Sequence, residues 1–255
     1  MKTPALASPL ALAGLLLAPV TRASAPDAHR AEEPFGVTRA SDLLRLVLLT
    51  PEGEPLARVE DLVIERGERG AIVAVVLALD ARVATERPHV AVPLDLLRPV
   101  HAIPSGSLVV AVDPRRLASA PVVTDALLAR VDRSWSEHVR AHFDLPPLGV
   151  DGAGGADRSP VALIRLRQVL GLVARDEDGR PLAEIVDSAL DVPRARVRHA
   201  VLAGPGEALL RAVPWDEVSV ADDLSGVGLP MTAEDYSALA GFEPTSWPER
   251  LPRGG

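Results

Sequence analysis

Apolar and polar positions in this 255-residue chain alternate in short runs, and one set of runs is written twice. From Leu56, the side chains of Leu56, Arg58 and Glu60 fall on one face and those of Ala57, Val59, Asp61 and Val63 on the other. That is the period of two expected of a strand with one buried face. Ahead of it, "ASDLLRLVLLT" runs into "PEGEP", so the pattern predicts strand, turn, strand. "RGERG" makes the next turn, "AIVAVVLAL" a third strand, and "HVAVPLDLL" a fourth ending around Pro93, whose missing N–H suits a strand end or edge.

The phrase "GEPLARVEDLVI", Gly53 to Ile64, returns as "GRPLAEIVDSAL", Gly179 to Leu190, 126 positions later. Around the second copy, "QVLGLVARD" leads into the turn "EDGRP", and "LAEIVDSALDV", "ARVRHAVLA" and "ALLRAVPWDEVSV" follow as strands. Ala91-Val92-Pro93-Leu94-Asp95 is matched by Ala212-Val213-Pro214-Trp215-Asp216 at an offset of 121, so the second copy is five residues shorter in an intervening loop. Each copy also carries a tail, "SLVVAVDPRRLASAPVV" or "GVGLPMTAEDYSALAGF", read as a short strand leading to a helical turn. The reading is a duplicated small β-barrel.

Between the copies, Leu128, Val131, Trp135 and Val139 recur at helical spacing behind Thr124, a candidate N-cap. This predicts an amphipathic helix over Val123 to Phe143. "GVDGAGGADRSP", Gly149 to Pro160, reads as a flexible hinge. Ala25 to Val37 is polar and without period, a flexible leader.

Residues 1–25 have an early cation at Lys2, an apolar stretch from Ala5 to Val20, and small residues ending in Ala23-Ser24-Ala25, the order of a secretory signal peptide. A permanent anchor is the second reading; the stretch is shorter than the ~20 residues of a spanning helix. Pro26 disfavours a cut after Ala25, leaving cleavage after Ala23 or no cleavage open. With no cysteine, neither a disulfide framework nor a lipid-modified cysteine is available. Loss of residues 1–25 would remove Lys2 and Arg22 and no acid, leaving 25 basic against 35 acidic side chains, a balance that repels phosphate backbones. Aromatics at 3% supply few stacking platforms.

Asp61 and Asp187 hold matching places on the otherwise apolar side of their strands, and are expected to accept backbone hydrogen bonds at a bulge or turn. Acid–base or metal work would need the two brought together. His138 and His142 lie four apart on the expected helix, with Asp144 as a third candidate metal ligand. The order is not H-E-x-x-H, and a solvated helix face is the favoured reading. "RDEDGR", Arg175 to Arg180, lacks the first and twelfth carboxylates of a calcium loop and reads as a hairpin turn. "DGAGGAD" lacks the elements of a phosphate loop, and neither G-x-S-x-G nor a cysteine nucleophile is present. The expectation is no catalytic, cofactor-binding or metal residue, and no cofactor. Trp135 is read as core, while Trp247 in the proline-rich tail is a candidate anchor to a barrel or to a partner.

Each copy opens on "ASDLL" or "RQVLG", passes through G-x-P-L-A-x-V/I-x-D and closes on AVP-x-D. In this ordered set the chain resembles the PRC-barrel family, over Thr38 to about Leu117 and Val161 to about Ala240. That family takes in the cytoplasmic domain of the photosynthetic reaction centre H subunit and the C-terminal part of a ribosome maturation factor. The resemblance implies a mainly β fold of two small PRC-type β-barrels in tandem, with Trp215 covering one barrel end, and a docking role without catalysis. Glu184, Val186 and Ser188 replace Arg58, Glu60 and Leu62, a departure that bears on whether both barrels share one surface.

The expected organisation is a signal peptide (1–25), leader (26–37), first repeat with tail (38–121), linker helix (122–148), hinge (149–160), second repeat with tail (161–242) and disordered tail (243–255). The expected function is that of an exported, periplasmic or secreted, non-enzymatic protein-binding or scaffold module of the cell envelope. Its partner would be a protein of unknown identity, with no nucleic acid and no stable membrane span after cleavage. The rival readings are a cytosolic ribonucleoprotein-binding module and an undeclared hydrolase or metal-binding protein.

Overall fold

A computed structural model describes residues 38–67, 69–84, 89–97, 107–110, 112–131, 133–147 and 162–247. The expected signal peptide, leader and Gly-rich hinge lie outside the described residues. The first copy runs β1 (Thr38–Arg39), α1 (Ala40–Leu43), β2 (Val47–Leu49), β3 (Pro55–Glu65), β4 (Ile72–Leu79), β5 (His89–Val92), a 3-10 turn (Leu94–Leu97), β6 (Ser107–Val109) and α2 (Pro114–Ala118). Helices α3 (Asp125–Leu128) and α4 (Arg133–His142) follow. The second copy runs β7 (Leu163–Arg165), α5 (Leu166–Val169), β8 (Val173–Arg175), β9 (Pro181–Asp191), β10 (Arg196–Ala203) and β11 (Leu210–Pro214). A 3-10 turn (Trp215–Glu217), β12 (Ser219–Val220), β13 (Val227–Gly228), α6 (Ala233–Ala238) and β14 (Gly241–Phe242) complete it.

The protein is mainly β, in two sheets. One is ordered β5-β4-β3-β2-β6 with β7 added to β3, the other β12-β13-β8-β9-β10-β11-β14 with β1 added to β9, and among the described residues neither closes on itself. In each copy the tail strand pairs in parallel with the first meander strand, β6 on β2 and β13 on β8. The helical turn after each is capped from the sequence: Asp113 accepts from Arg115 N ahead of α2, and Thr232 from Asp235 N ahead of α6.

Long strands β3 and β9 carry the cross-connection. One edge of β3 pairs with β4; the other takes β2 at Pro55–Arg58 and then β7, from the second copy, at Val63–Glu65. Its counterpart β9 takes β8 and then β1, from the first copy, at Ala189 and Leu190. The arms are thus exchanged, and the register is reciprocal: Ile164 faces Ile64 as Thr38 faces Leu190. At the centre, Ile72 N donates to Ala195 O and Val197 N to Gly70 O, around an Ala71–Arg196 bridge.

"ASDLL" was expected to belong to the first strand, but it forms α1. The local run is apolar enough for either element; the helical turn is fixed by Asp187 of the other copy, a partner 146 positions away. The expected single linker helix is two helices, because Arg130 N and Val131 N both return to Leu127 O and turn the chain after Leu128.

Inward residues of both sheets, among them Leu62, Val75, Val90, Ile185, Leu202 and Val213, share one continuous apolar core. The intervening residues of the first sheet, Val63, Ala74, Val76 and Ala91, form a second cluster on its other face with Leu128, Trp135 and Val139 of α3 and α4. That cover explains why "AIVAVVLAL" is apolar at every position: both faces are buried. On the second sheet the corresponding cluster is small, Ala189 and Ala212 under Phe242 and Trp247, and β10 carries Arg198 and His199 where β4 has Val73 and Ala74.

The described residues form one compact unit. Gly179 has φ 79° in the β8–β9 turn, with no atom within 4 Å of an added Cβ. Gly179→Val therefore meets a conformational penalty alone, on the order of 1–2 kcal/mol. It is expected to lower a single urea transition followed identically by far-UV circular dichroism and tryptophan fluorescence. Two separated transitions would show that the copies fold independently.

Candidate functional site

Of the residues singled out by the sequence, Asp61, Asp187 and Trp215 lie at the contact between the two copies. Glu60 in β3 and Val186 in β9 are bulged, since Val59 and Asp61 face Leu77 and Val76, as Ile185 and Asp187 face Leu202 and Val201. The bulge turns each following Asp toward the arm of the other copy. Asp61 Oδ1 accepts from Leu62 N at 2.8 Å and from Arg167 N of α5 at 3.1 Å. Asp187 Oδ1 accepts from Ser188 N at 2.7 Å and from Ser41 N of α1 at 3.1 Å. Each carboxylate meets an otherwise unpaired N–H in the first turn of a helix, a favourable place for negative charge. The sequence placed them on matching strands as acceptors at a bulge or turn; that each reaches across to the other copy was not legible.

The two sites differ in one donor. Ser41 Oγ–H also donates to Asp187 Oδ2 at 2.6 Å, whereas the matching residue beside Asp61 is Arg167. Burial pushes the Asp61 carboxyl up from 3.8 to about 6, against the lowering effects of the Arg167 and Leu62 N–H groups and the charges of Arg165 and Arg167.

Trp215 fills the first position of the 3-10 turn after β11 and is buried. Its Nε1–H donates to Gly67 O of the first copy at 3.0 Å. Gly70, at φ 52°, lies so close under the indole that an added Cβ would stand 2.4 Å from Cδ1. An open cleft of about 540 Å³ beside this contact is lined by Arg66 and Gly67 from one copy and Asp176, Glu177, Asp216 and Glu217 from the other. Arg66 also pairs with Asp222 of the second copy at 2.6 Å. An acidic cleft of this kind admits cationic groups and repels anions.

The remaining candidates are engaged structurally. Asp176 Oδ1 accepts from Asp178 N and Arg180 N, closing the "RDEDGR" hairpin turn. His142 Nε2 donates to Arg116 O at 3.0 Å while Arg116 donates to His142 O and to Asp144, which ties the end of α4 to α2. His138, one turn earlier, is exposed. The nearly buried Arg140 pairs with Asp95 at 2.5 Å and donates to Pro146 O, fixing α4 to the turn after β5. Trp135 lies in the α4 cluster, and Trp247 packs on the second sheet with its ring edge-on to Phe242.

No family model matches the sequence, and no curated protein does. The geometry therefore carries the functional argument. It presents an interface between the copies, an acidic cleft beside it, and two sheet faces covered in different ways.

Gly70→Ala combines a positive φ with a clash against a buried indole and is expected to destabilise by roughly 2–5 kcal/mol. Urea midpoints with Gly53→Ala as the reference check this, since Gly53 at φ 86° has open space around it. For Asp61, the folded chain holds the proton more tightly than the unfolded one, so its contribution to stability falls as pH rises from about 4 to 6. Asp61→Asn keeps an acceptor and removes the charge. Between pH 4 and pH 7 the variant is expected to gain roughly 2–3 kcal/mol relative to the parent in urea titrations; parallel pH profiles would contradict the assignment.

Proposed function

We propose that this chain is a non-enzymatic, exported tandem PRC-type barrel protein that acts as a protein-binding or scaffold module in the cell envelope. The observation that carries the reading is the ordered motif set found twice, each copy built on the same meander with the same parallel tail strand. The resemblance of that set to the PRC-barrel family supplies the docking role and the two-barrel description. Residues 1–25 supply the address, through their cation, apolar stretch and small-residue end.

Two further features favour a protein partner over nucleic acid. Formal charge is −8 for the whole chain, and the cleft between the copies is acidic. Sheet edges and faces of small all-β modules are also common sites of protein docking. Among the described residues no helix is long and apolar enough to cross a membrane.

The test is co-purification of C-terminally tagged protein after mild cross-linking, from separated envelope and cytosolic fractions, with the intact mass of the bait. The expected result is a shortened bait in the envelope fraction carrying a stoichiometric protein partner. An uncut bait bound to ribosomal particles would overturn both the address and the class of partner.

A further inference from the structure

The exchanged arms make the two sheets counterparts, so their outer faces can be compared residue by residue. On the first sheet the face is covered by α3 and α4, with Leu128, Trp135 and Val139 on Val63, Val76 and Ala91. Arg165 of the arm lying on that sheet pairs with Asp125 at the start of α3 at 2.9 Å. On the second sheet the corresponding arm residue is Arg39, and it holds a different cover. Its guanidinium stacks 4.4 Å over the Trp247 ring and donates to Pro244 O at 2.8 Å.

The second cover is much the weaker. Residues 243–246 are exposed, and a Ser246 N to Glu243 O bond closes one turn. Trp247 Nε1 is buried without a hydrogen-bond partner. A buried indole N–H without an acceptor handicaps the packed state, because water would have satisfied it. The face beneath also differs from its counterpart in polarity, with Arg198 at the place of Val73, 3.8 Å from Asp191.

We propose that the outer face of the second sheet is a docking site for an amphipathic helix of a partner protein with an acidic residue in its first turn, and that Glu243–Trp247 is its displaceable occupant in the unbound chain. The partner helix would carry an aromatic residue on its apolar face, in the place of Trp247, and an acidic residue ahead of it for Arg39, as Asp125 serves Arg165. Helix in groove is a familiar recognition mode, and here the first copy displays a helix already seated on the equivalent face. The proposal rests on the docking reading above and assigns it a surface.

The experiment uses the full chain and Trp247→Ala, with a fluorescein-labelled peptide of residues 124–143 as the probe. Fluorescence anisotropy should show the peptide binding the variant at least about tenfold more tightly than the parent, the factor released when a competing cover is removed. Replacing Asp125 by Arg in the peptide should abolish the gain. The proposal is overturned if the variant unfolds cooperatively near the parental midpoint yet binds the peptide no better. It is equally overturned if the variant loses its cooperative transition, since a displaceable occupant is not a required part of the core. Either failure leaves the co-purification result intact, so a partner held elsewhere on the molecule would still be detected.

Discussion

Everything else in this molecule depends on an unfinished strand edge. Strands β3 and β9 are eleven residues long, but their own copies supply a neighbour for only part of one edge. The unpaired backbone groups at the far end would have to find water or another chain. Each is met by an arm from the other copy, so neither sheet is completed without its counterpart. The bulges at Glu60 and Val186 and the carboxylates that follow them are the joints of this exchange, each aligning a helix N-terminus with the edge it finishes.

The exchange also explains where the copies had to stay alike and where they could drift. Glycine at 53 and 179, Asp at 61 and 187 and the apolar inward positions serve geometry that both copies need. Outward positions are free of that demand. The first sheet took an extra layer, α3 and α4, and its strand β4 is apolar on both faces; the second has Arg198 and His199 at the matching positions of β10 and a short terminal segment instead.

Much of this was legible because it is local. Alternation located the long strands, Pro93 and Pro214 located the strand ends, and the glycine turns located the hairpins. Each Asp was legible as a satisfied carboxylate on an apolar strand face. What escaped were the long-range partners. Nothing in "ASDLL" announces that Asp187 will hold it as a helical turn, and nothing around Gly70 announces the indole of Trp215 above it. Periodicity reports the face a side chain takes, and is silent about whose edge the strand will join. The division of the linker into two helices was likewise invisible to a pattern that spaces Leu128, Val131, Trp135 and Val139 evenly.

A symmetric pair of identical subunits changes in duplicate: any substitution appears on both sides of the axis, and any loss of stability is counted twice. Joining the two copies in one chain lifts that restriction. Arg58 and Glu60 in one copy correspond to Glu184 and Val186 in the other, a difference that no homodimer could carry. One copy is thereby free to conserve the shared framework while its counterpart varies its outer surface, so that a two-fold scaffold can present a one-sided face.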